Sequence, residues 1–347
     1  MTSHKHKKYR ARSRKNTVTK KTRRRQRIPY PSSPISTGNT THAEIIKGIK
    51  HITRLEMMED YQRLVSEECD KSMNHVRKVG NNVMDYYFFK HRINTKSKRG
   101  NTYFDWIKTP WQTNEAEYRM YNFNLAQGKT PEKARYGVFR LYYGAINGFK
   151  PLIAKWLFCK YNPTTILDFS AGWGGRCIAA MSLGKKYIGF DTNTDLQSAY
   201  NRMIHDLNPA ITPHIYFRDS ATVDFSKYKY DMVFTSPPYF KTLRPTEGYA
   251  HMPEYKDRDD FNARFLFPVI ERTYANLSTG GIYALNIPSD MYEDIKNAKI
   301  IPSKLYAKHP MYVQPRFARG NPLDVASNQE DAVENIYKEY IYVWKKV

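Results

Sequence analysis

Two apolar segments, each running into a loop of unusual composition, set the strongest limit on how this chain can fold. Residues 166–175 read Ile-Leu-Asp-Phe-Ser-Ala-Gly-Trp-Gly-Gly, and residues 231–239 read Asp-Met-Val-Phe-Thr-Ser-Pro-Pro-Tyr. Short apolar runs that end at turn residues are typical of strands buried on both faces. Glycines in the first loop let backbone approach a nucleotide-like ligand closely, and the second loop places polar acceptors beside an aromatic ring. The pair predicts a sheet that binds a ligand at its edge.

Strands and helices alternate after Gly148, which is the pattern of a doubly wound α/β domain. Strands are predicted near residues 164–169, 186–190, 213–217, 231–235, 281–286, 303–308 and 338–344. Helices are predicted near residues 150–160, 174–183, 194–207, 259–277 and 289–297. The last strand alternates through Tyr340, Tyr342 and Trp344, as an antiparallel strand does.

The sequence before this domain divides into two parts. Residues 1–43 are predicted to be a disordered basic tail, because they hold too little apolar surface to offset the entropy of ordering. Residues 44–148 are predicted to be mainly helical, since isoleucines recur at helical spacing near their start. Pro131 suits the first turn of a further helix, which is expected to end near residue 146. Residues 149–347 form the predicted α/β domain.

The net charge indicates a polyanionic partner. The 347 residues carry a formal charge of +23, and the first 37 hold 13 of the 56 Lys and Arg residues without any acid. The remaining residues have 43 Lys and Arg against 33 acids, so they still carry a net charge of +10. In the tail, Arg23, Arg24 and Arg25 are candidate phosphate contacts. A nuclear-import signal and a solvated tail that aids solubility are the alternatives.

Cysteine usage favours a reducing compartment. The three cysteines are scattered and form no C-x-x-C pair, so neither a disulfide scaffold nor a zinc site is expected. The sequence has no apolar run long enough for a membrane span and no signal-peptide core near its beginning. We therefore expect an intracellular protein that does not bind a membrane. It should be nuclear or in a viral replication compartment if the source is eukaryotic or viral, and cytoplasmic otherwise.

The first loop is a candidate cofactor site. Its glycines remove Cβ atoms that would clash with a ligand, and the following helix offers free N–H groups. The next strand ends in Asp191, the usual position of a ribose-hydroxyl acceptor. A nicotinamide dinucleotide site is disfavoured, because the third glycine of G-x-G-x-x-G is missing and Trp173 is bulky. Structural alternatives also exist: Asp168 could cap the loop, and Gly175 could serve helix packing.

In this order, the two loops resemble those of DNA amino-methyltransferases with a Ser-Pro-Pro-Tyr motif, particularly the phage- and large-virus-like enzymes. The resemblance covers residues 149–297, including the Gly-Gly turn and strand of residues 279–287. It implies a Rossmann-like class I methyltransferase fold with a seven-stranded, mostly parallel sheet, and S-adenosylmethionine as cofactor. One departure is Ser170, which stands where the family has an aromatic residue, while Phe169 comes one place early.

By this resemblance the cofactor contacts are expected at Lys150, Asp168, Ser170, Gly172, Gly174, Asp191 and Asp219. Lys150 belongs to the segment expected to touch the methionine end. Asp219 stands where the family often contacts the adenine amine, although a loop-stabilising Asx role is equally compatible with its position.

The Ser-Pro-Pro-Tyr loop is the predicted catalytic element, formed by Ser236, Pro237, Pro238 and Tyr239. An exocyclic amine is a poor nucleophile because its lone pair is delocalised into the ring. The Ser236 hydroxyl and the proline-linked carbonyls can accept its hydrogen bonds, and prolines hold them in place. Tyr239 offers a stacking face to an extruded base, and Phe240 could extend that wall. An ordinary structural turn is the alternative.

The resemblance implies methylation of an exocyclic amine in DNA, with cytosine N4 favoured over adenine N6 because serine replaces the adenine-type aspartate. The sequence has no Pro-Cys dipeptide for ring-carbon methylation. RNA base methylation and a non-catalytic nucleic-acid-binding protein are the alternatives. Nucleic-acid contacts are expected in loops at the carboxyl edge of the sheet, at Lys241, Arg244, Arg316 and Arg319.

Overall fold

The computed structural model describes residues 41–69, 77–97, 99–108, 115–144, 146–241, 244–245, 253–311 and 339–347. Within these ranges, helices precede the sheet as predicted: α1 His42–Ile49, α2 Arg54–Ser66, α3 Asn81–Asn94, α4 Tyr103–Trp106, α5 Glu115–Ala126 and α6 Pro131–Tyr142. Threonine is the N-cap of several of them. The Thr hydroxyl accepts a hydrogen bond from the backbone N–H of an acidic residue three positions later, and the carboxylate of that residue accepts from the Thr backbone N–H. None of the described helices is long and apolar enough to cross a bilayer.

The predicted α/β elements are all present. The strands are β1 Thr165–Asp168, β2 Lys186–Asp191, β3 His214–Phe217, β4 Met232–Thr235, β5 Phe240–Lys241, β6 Arg244–Pro245, β7 Ile282–Pro288, β8 Leu305–Met311 and β9 Glu339–Lys345. The helices are α7 Pro151–Tyr161, α8 Gly175–Ser182, α9 Gln197–Leu207, α10 Arg258–Phe261, α11 Phe267–Ala275 and α12 Ser289–Asn297. A π-helical turn, Asn262–Leu266, joins α10 to α11.

The strand order identifies the fold. The seven-stranded sheet runs β3-β2-β1-β4-β7-β9-β8, and β1, β2, β3, β4 and β7 pair in parallel. Strand β9 is antiparallel to both of its neighbours, β7 and β8. This is the Rossmann-like class I methyltransferase fold, so the predicted fold class is confirmed.

Strand β9 is antiparallel as predicted, but its burial does not alternate. Four consecutive residues, from Ile341 to Trp344, are buried. The reason is its place in the sheet: β9 lies between β7 and β8, and both sheet faces are covered there. Its first residue, Glu339, pairs with Pro288, so the start of β9 lies at the same edge as the end of β7.

Two cores cover the sheet, and one of them extends into the N-terminal helices. On one face, α7, α8 and α9 share a core with residues of α2 and α3, such as Leu64, Tyr87 and Phe88. On the other face, α11 and α12 pack against the sheet. The remaining N-terminal helices form a third cluster, to which α3 contributes Phe89 and Ile93. Packing therefore continues across residue 148, the predicted domain boundary.

One sequence expectation about the cysteines was wrong. Cys69, just after α2, and Cys159 of α7 form a disulfide with their Cα atoms 5.3 Å apart, while Cys177 is free and buried. The two partners are 90 residues apart in sequence, and only the packing of α2 beside α7 brings them together. Sequence spacing holds no sign of this pairing.

We expect one reactive thiol per chain when the protein is denatured without reductant, and three after reduction, because only Cys177 is unpaired. Thiol titration in denaturant measures both numbers. Three thiols before reduction, in protein purified without reductant, would contradict the pairing. A Cys177→Ser variant is the matched control, since it should show no thiol before reduction and two afterwards.

Candidate active site

A large cavity opens where the strand order reverses, at the carboxyl ends of β1 and β4, which is where ligands bind in such sheets. Its volume is about 1190 Å³. That exceeds the range of roughly 300–1,000 Å³ typical of sites for one small ligand. The cavity receives both predicted loops, because Gly172 and Ser236 are among its lining residues. There is room for a cofactor and a second group together.

The glycines of the first loop have different roles. Gly172 has φ +58°, and a Cβ built there would meet no atom closer than the Ser170 carbonyl oxygen at 3.8 Å, so its open side is available to a ligand. Gly174 has φ +75° and starts α8, but its added Cβ would lie 2.7 Å from Phe88. A Cβ at Gly175 would lie 1.9 Å from the Phe149 carbonyl oxygen. Gly174 packs against α3 and does not line the cavity. Gly175 lines the cavity and also packs against the Phe149 backbone, which is the packing role expected as its alternative.

Asp168 is a buried residue that holds the glycine loop in place through an ion pair. It is fully buried, does not line the cavity and pairs with buried Arg176, whose Nε lies 2.6 Å from Oδ2. Tyr187 donates to the same oxygen at 2.6 Å. Burial opposes the charge of Arg176, but attraction to Asp168 and Tyr187 outweighs it and raises the pKa of Arg176. The loop-capping alternative is present as well, because Oδ1 accepts from the Ser170 N–H at 3.1 Å. Burial keeps Asp168 away from the cavity where its cofactor contact was predicted.

Asp191 lines the cavity and organises the backbone around it. Oδ2 accepts from the Gly172 N–H at 2.7 Å, and Oδ1 accepts from the Asn193 N–H at 2.9 Å. Burial raises the pKa of Asp191, while these two amide bonds oppose the rise. Each carboxylate oxygen has a second lone pair, so the group can also accept from a ligand hydroxyl. Asp191 therefore lies on the cavity wall with acceptor capacity to spare, and its ribose contact stays a prediction.

Three further predicted cofactor residues, Ser170, Lys150 and Asp219, line the same cavity. Lys150 stands at the start of α7, and burial lowers its pKa, with a smaller contribution from Lys78. Asp219 accepts from the Ala221 N–H at 2.8 Å, which is an Asx turn. Its loop-stabilising role is therefore present, and its cavity position leaves the adenine contact as a prediction.

The Ser-Pro-Pro-Tyr loop is tied to β7 and β9 by a polar network. Asn286 Nδ2 lies 3.2 Å from Ser236 Oγ, 2.7 Å from the Tyr239 hydroxyl and 2.5 Å from Glu339 Oε1. The Tyr239 hydroxyl lies 3.0 Å from Ser236 Oγ and 2.9 Å from Glu339 Oε1. Ser236, Pro238, Tyr239, Asn286 and Glu339 all line the cavity. Pro237 is buried beneath them.

Two members of this network were missed in the sequence. Asn286 is a single amide in the apolar strand Ile-Tyr-Ala-Leu-Asn-Ile, which is a readable signal for a polar partner. Its side chain is 2% exposed, and its Oδ1 has no hydrogen-bond partner among the described residues. Glu339 lies 100 residues after Tyr239 and reaches it because β9 is antiparallel. The proposed stacking role of Phe240 is wrong, since Phe240 is buried and stacks on Phe261.

The predicted nucleic-acid contacts are only partly within the described residues. The backbones of Lys241 and Arg244 lie opposite each other in the two-stranded ribbon of β5 and β6, which directly follows the Ser-Pro-Pro-Tyr loop. Arg23, Arg24, Arg25, Arg316 and Arg319 lie outside the described residues. These contacts remain predictions.

No protein-family model matches the chain, and no curated protein matches it. Solved structures with partial similarity include TrmN from Thermus thermophilus (13% identity, TM-score 0.40, 57% of this chain and 49% of that chain). NSun6 from Pyrococcus horikoshii has 15% identity and a TM-score of 0.40 over 60% of this chain and 54% of that chain. A Brevibacillus brevis O-methyltransferase has 15% identity and a TM-score of 0.36 over 57% of this chain and 72% of that chain. The chain matches about half the length of TrmN and NSun6. The fold assignment rests on the strand order.

Proposed function

We propose that the protein transfers a methyl group from S-adenosylmethionine to an exocyclic amine of a nucleic-acid base, with cytosine N4 in DNA as the favoured target. One observation supports this above all others: the glycine loop with Asp191 and the Ser-Pro-Pro-Tyr loop open into one cavity. A cofactor site and an amine-binding loop must share a cavity if a methyl group is to pass between them.

The residues present suit the cofactor. Asp191 offers carboxylate oxygens to the ribose hydroxyls, and the open side of Gly172 leaves space beside the loop. Lys150 offers a positive charge for the methionine carboxylate, and Asp219 can accept from the adenine amine. The bound cofactor would supply an electrophilic methyl group on a sulfonium centre.

The Ser-Pro-Pro-Tyr loop would position the amine. When the Tyr239 hydroxyl donates to Glu339 at 2.9 Å, Ser236 can accept from Asn286 Nδ2 at 3.2 Å and donate to the Asn286 carbonyl oxygen at 3.3 Å. That arrangement leaves Ser236 one lone pair for an amine N–H. An acceptor held in place before reaction lowers the barrier without reorganisation. The Tyr239 ring, fixed by its hydroxyl, offers a preset stacking surface. The neutral serine favours cytosine over adenine.

The deciding experiment incubates the full-length protein with labelled S-adenosylmethionine and either mixed-sequence DNA or RNA, followed by nucleoside mass spectrometry. We expect N4-methylcytosine in DNA, and none with Ser236→Ala under the same conditions. N6-methyladenine alone would correct the base. Label found only in RNA would overturn the substrate, and cofactor binding without any transfer would indicate a binding protein.

Asp191→Ala is expected to weaken S-adenosylmethionine binding by about 1.5–3 kcal/mol, or roughly 10- to 150-fold, because hydrogen bonds to a charged acceptor are lost. In the wild type, binding should weaken as the pH falls through the raised pKa of Asp191, so the loss begins at higher pH than for an ordinary aspartate. Isothermal calorimetry across pH measures both effects.

Asp195→Asn is the matched control, since Asp195 is an exposed acid four residues later that does not line the cavity. It should leave cofactor affinity at the wild-type value. Equal affinities for Asp191→Ala and the wild type would remove the ribose assignment.

A further inference from the structure

The cavity extends beyond the two loops into the N-terminal helices, where its wall is basic. Lys50 follows α1, Lys78 precedes α3, Arg92 belongs to α3 and Arg140 belongs to α6, and all four line the cavity. We call this part of the cavity the basic arm. Asp85 is the one acid among the described residues that line it together with them.

Charge in the basic arm is only partly balanced. Asp85 is buried and forms ion pairs with both Lys50 and Arg92. One carboxylate against four cations leaves a formal excess of three positive charges: Lys78 and Arg140 are exposed, and the more buried Lys50 and Arg92 share the single Asp85. Buried or half-buried charge of one sign is unfavourable without a counter-ion, so such an excess marks a place that attracts an anion.

The protein partners of Arg92 leave part of its guanidinium unsatisfied. Arg92 is 9% exposed, and its Nε–H has no hydrogen-bond acceptor among the described residues. Burial lowers the pKa of Lys50 to about 8, and repulsion from Arg92, Arg140 and Lys78 contributes further. Lys78 and Arg140 are exposed, so an anion can reach the arm from solvent.

We infer that the basic arm binds a backbone phosphate of the polynucleotide whose base enters the Ser-Pro-Pro-Tyr loop. The inference rests on the proposed function and adds to it the place where the strand is held. An extruded base remains joined to its flanking phosphates, so a cavity that receives the base must also accommodate that charge. Phosphate contacts fix position without reading sequence. The N-terminal helices thereby contribute directly to substrate binding.

The test compares Lys78→Ala/Arg140→Ala with Lys90→Ala/Lys133→Ala in the full-length protein. The control pair removes two exposed lysines from α3 and α6 that do not line the cavity. Binding of a fluorescent mixed-sequence DNA oligonucleotide is measured over a range of KCl concentrations. Each phosphate neutralised contributes about 0.9 to the slope of log affinity against log salt, so loss of this one phosphate contact should make the slope shallower by about one and weaken binding at every salt concentration. The control pair should retain the wild-type slope.

The outcomes separate this inference from the proposed function. If the wild type neither binds nucleic acid nor transfers a methyl group, the proposed function fails and the inference falls with it. If the wild type does both and the two double variants share one slope, only the inference is overturned. If Lys78→Ala/Arg140→Ala lost as much affinity for S-adenosylmethionine as for DNA, the cofactor carboxylate would lie in the arm and the inference would be overturned as well. Deoxycytidine 5′-monophosphate binding as tightly as the oligonucleotide would assign a mononucleotide site instead.

Discussion

Replacing Asp168 by alanine is expected to destabilise the protein by about 3–5 kcal/mol, because it leaves the buried guanidinium of Arg176 without its partner. Tyr187 loses its acceptor in the same variant. Urea unfolding measures the change as a lower midpoint with an unchanged slope. A change below about 1 kcal/mol would contradict a supporting role for the pair.

Two companion variants sharpen this result. Glu293→Ala removes an exposed pair with Lys296 at 3.2 Å and should cost about 0–1 kcal/mol, since exposed ion pairs contribute little. Asp168→Leu combined with Arg176→Met removes both charges and should recover part of the loss, because no charge is left buried alone. Failure of this recovery would indicate that the hydrogen bonds from Tyr187 and Ser170 outweigh the ion pair.

Ser236→Ala is expected to lower kcat about 10²- to 10³-fold while leaving cofactor affinity unchanged, because it removes a fixed acceptor for the target amine. Tyr239→Ala should in addition weaken binding of the base-containing substrate by about 1–3 kcal/mol, the range for loss of a stacked base. Tyr239→Phe keeps the ring but loses the bonds to Asn286 and Glu339. Single-turnover kinetics and calorimetry separate the two effects.

Ser226→Ala controls for loss of a serine hydroxyl, since Ser226 is exposed and lies outside the cavity. It should behave as the wild type. If Tyr239→Phe binds DNA as weakly as Tyr239→Ala, the hydroxyl and not the ring holds the base. A Ser236→Ala enzyme with full kcat would refute the acceptor role.

The strands and both loops were predictable because their signals are local. An apolar run followed by Gly-Trp-Gly or Ser-Pro-Pro marks a strand end without any knowledge of its neighbours. The place of Asp191 at the end of β2 followed in the same way. Asp168 looked like a cofactor contact for the same reason, and only the structure, in which Arg176 is buried as the second residue of α8, shows its partner.

The rest depended on contacts between distant parts of the chain. Glu339 enters the site because β9 runs antiparallel to β7, and the sequence near residue 339 contains no sign of Tyr239. Cys69 and Cys159 are likewise joined by helix packing alone. The basic arm collects residues from three helical segments whose charges look like ordinary solvated surface when they are considered one by one. Long-range packing decides such sites, and a single sequence does not contain it in readable form.

Helix α3 has residues in the core beside the sheet, in the separate N-terminal cluster and in the cavity wall: Phe88, Phe89 and Arg92 respectively. A chimera that exchanges everything before residue 149 would therefore remove the α2 and α3 residues that belong to the sheet core. A smaller exchange avoids this loss. It keeps α2 and α3 together with the sheet that they pack against and replaces only the other N-terminal helices. Substitutions in α1 and α4 to α6 leave the sheet core intact, because these helices contribute no residue to either core beside the sheet.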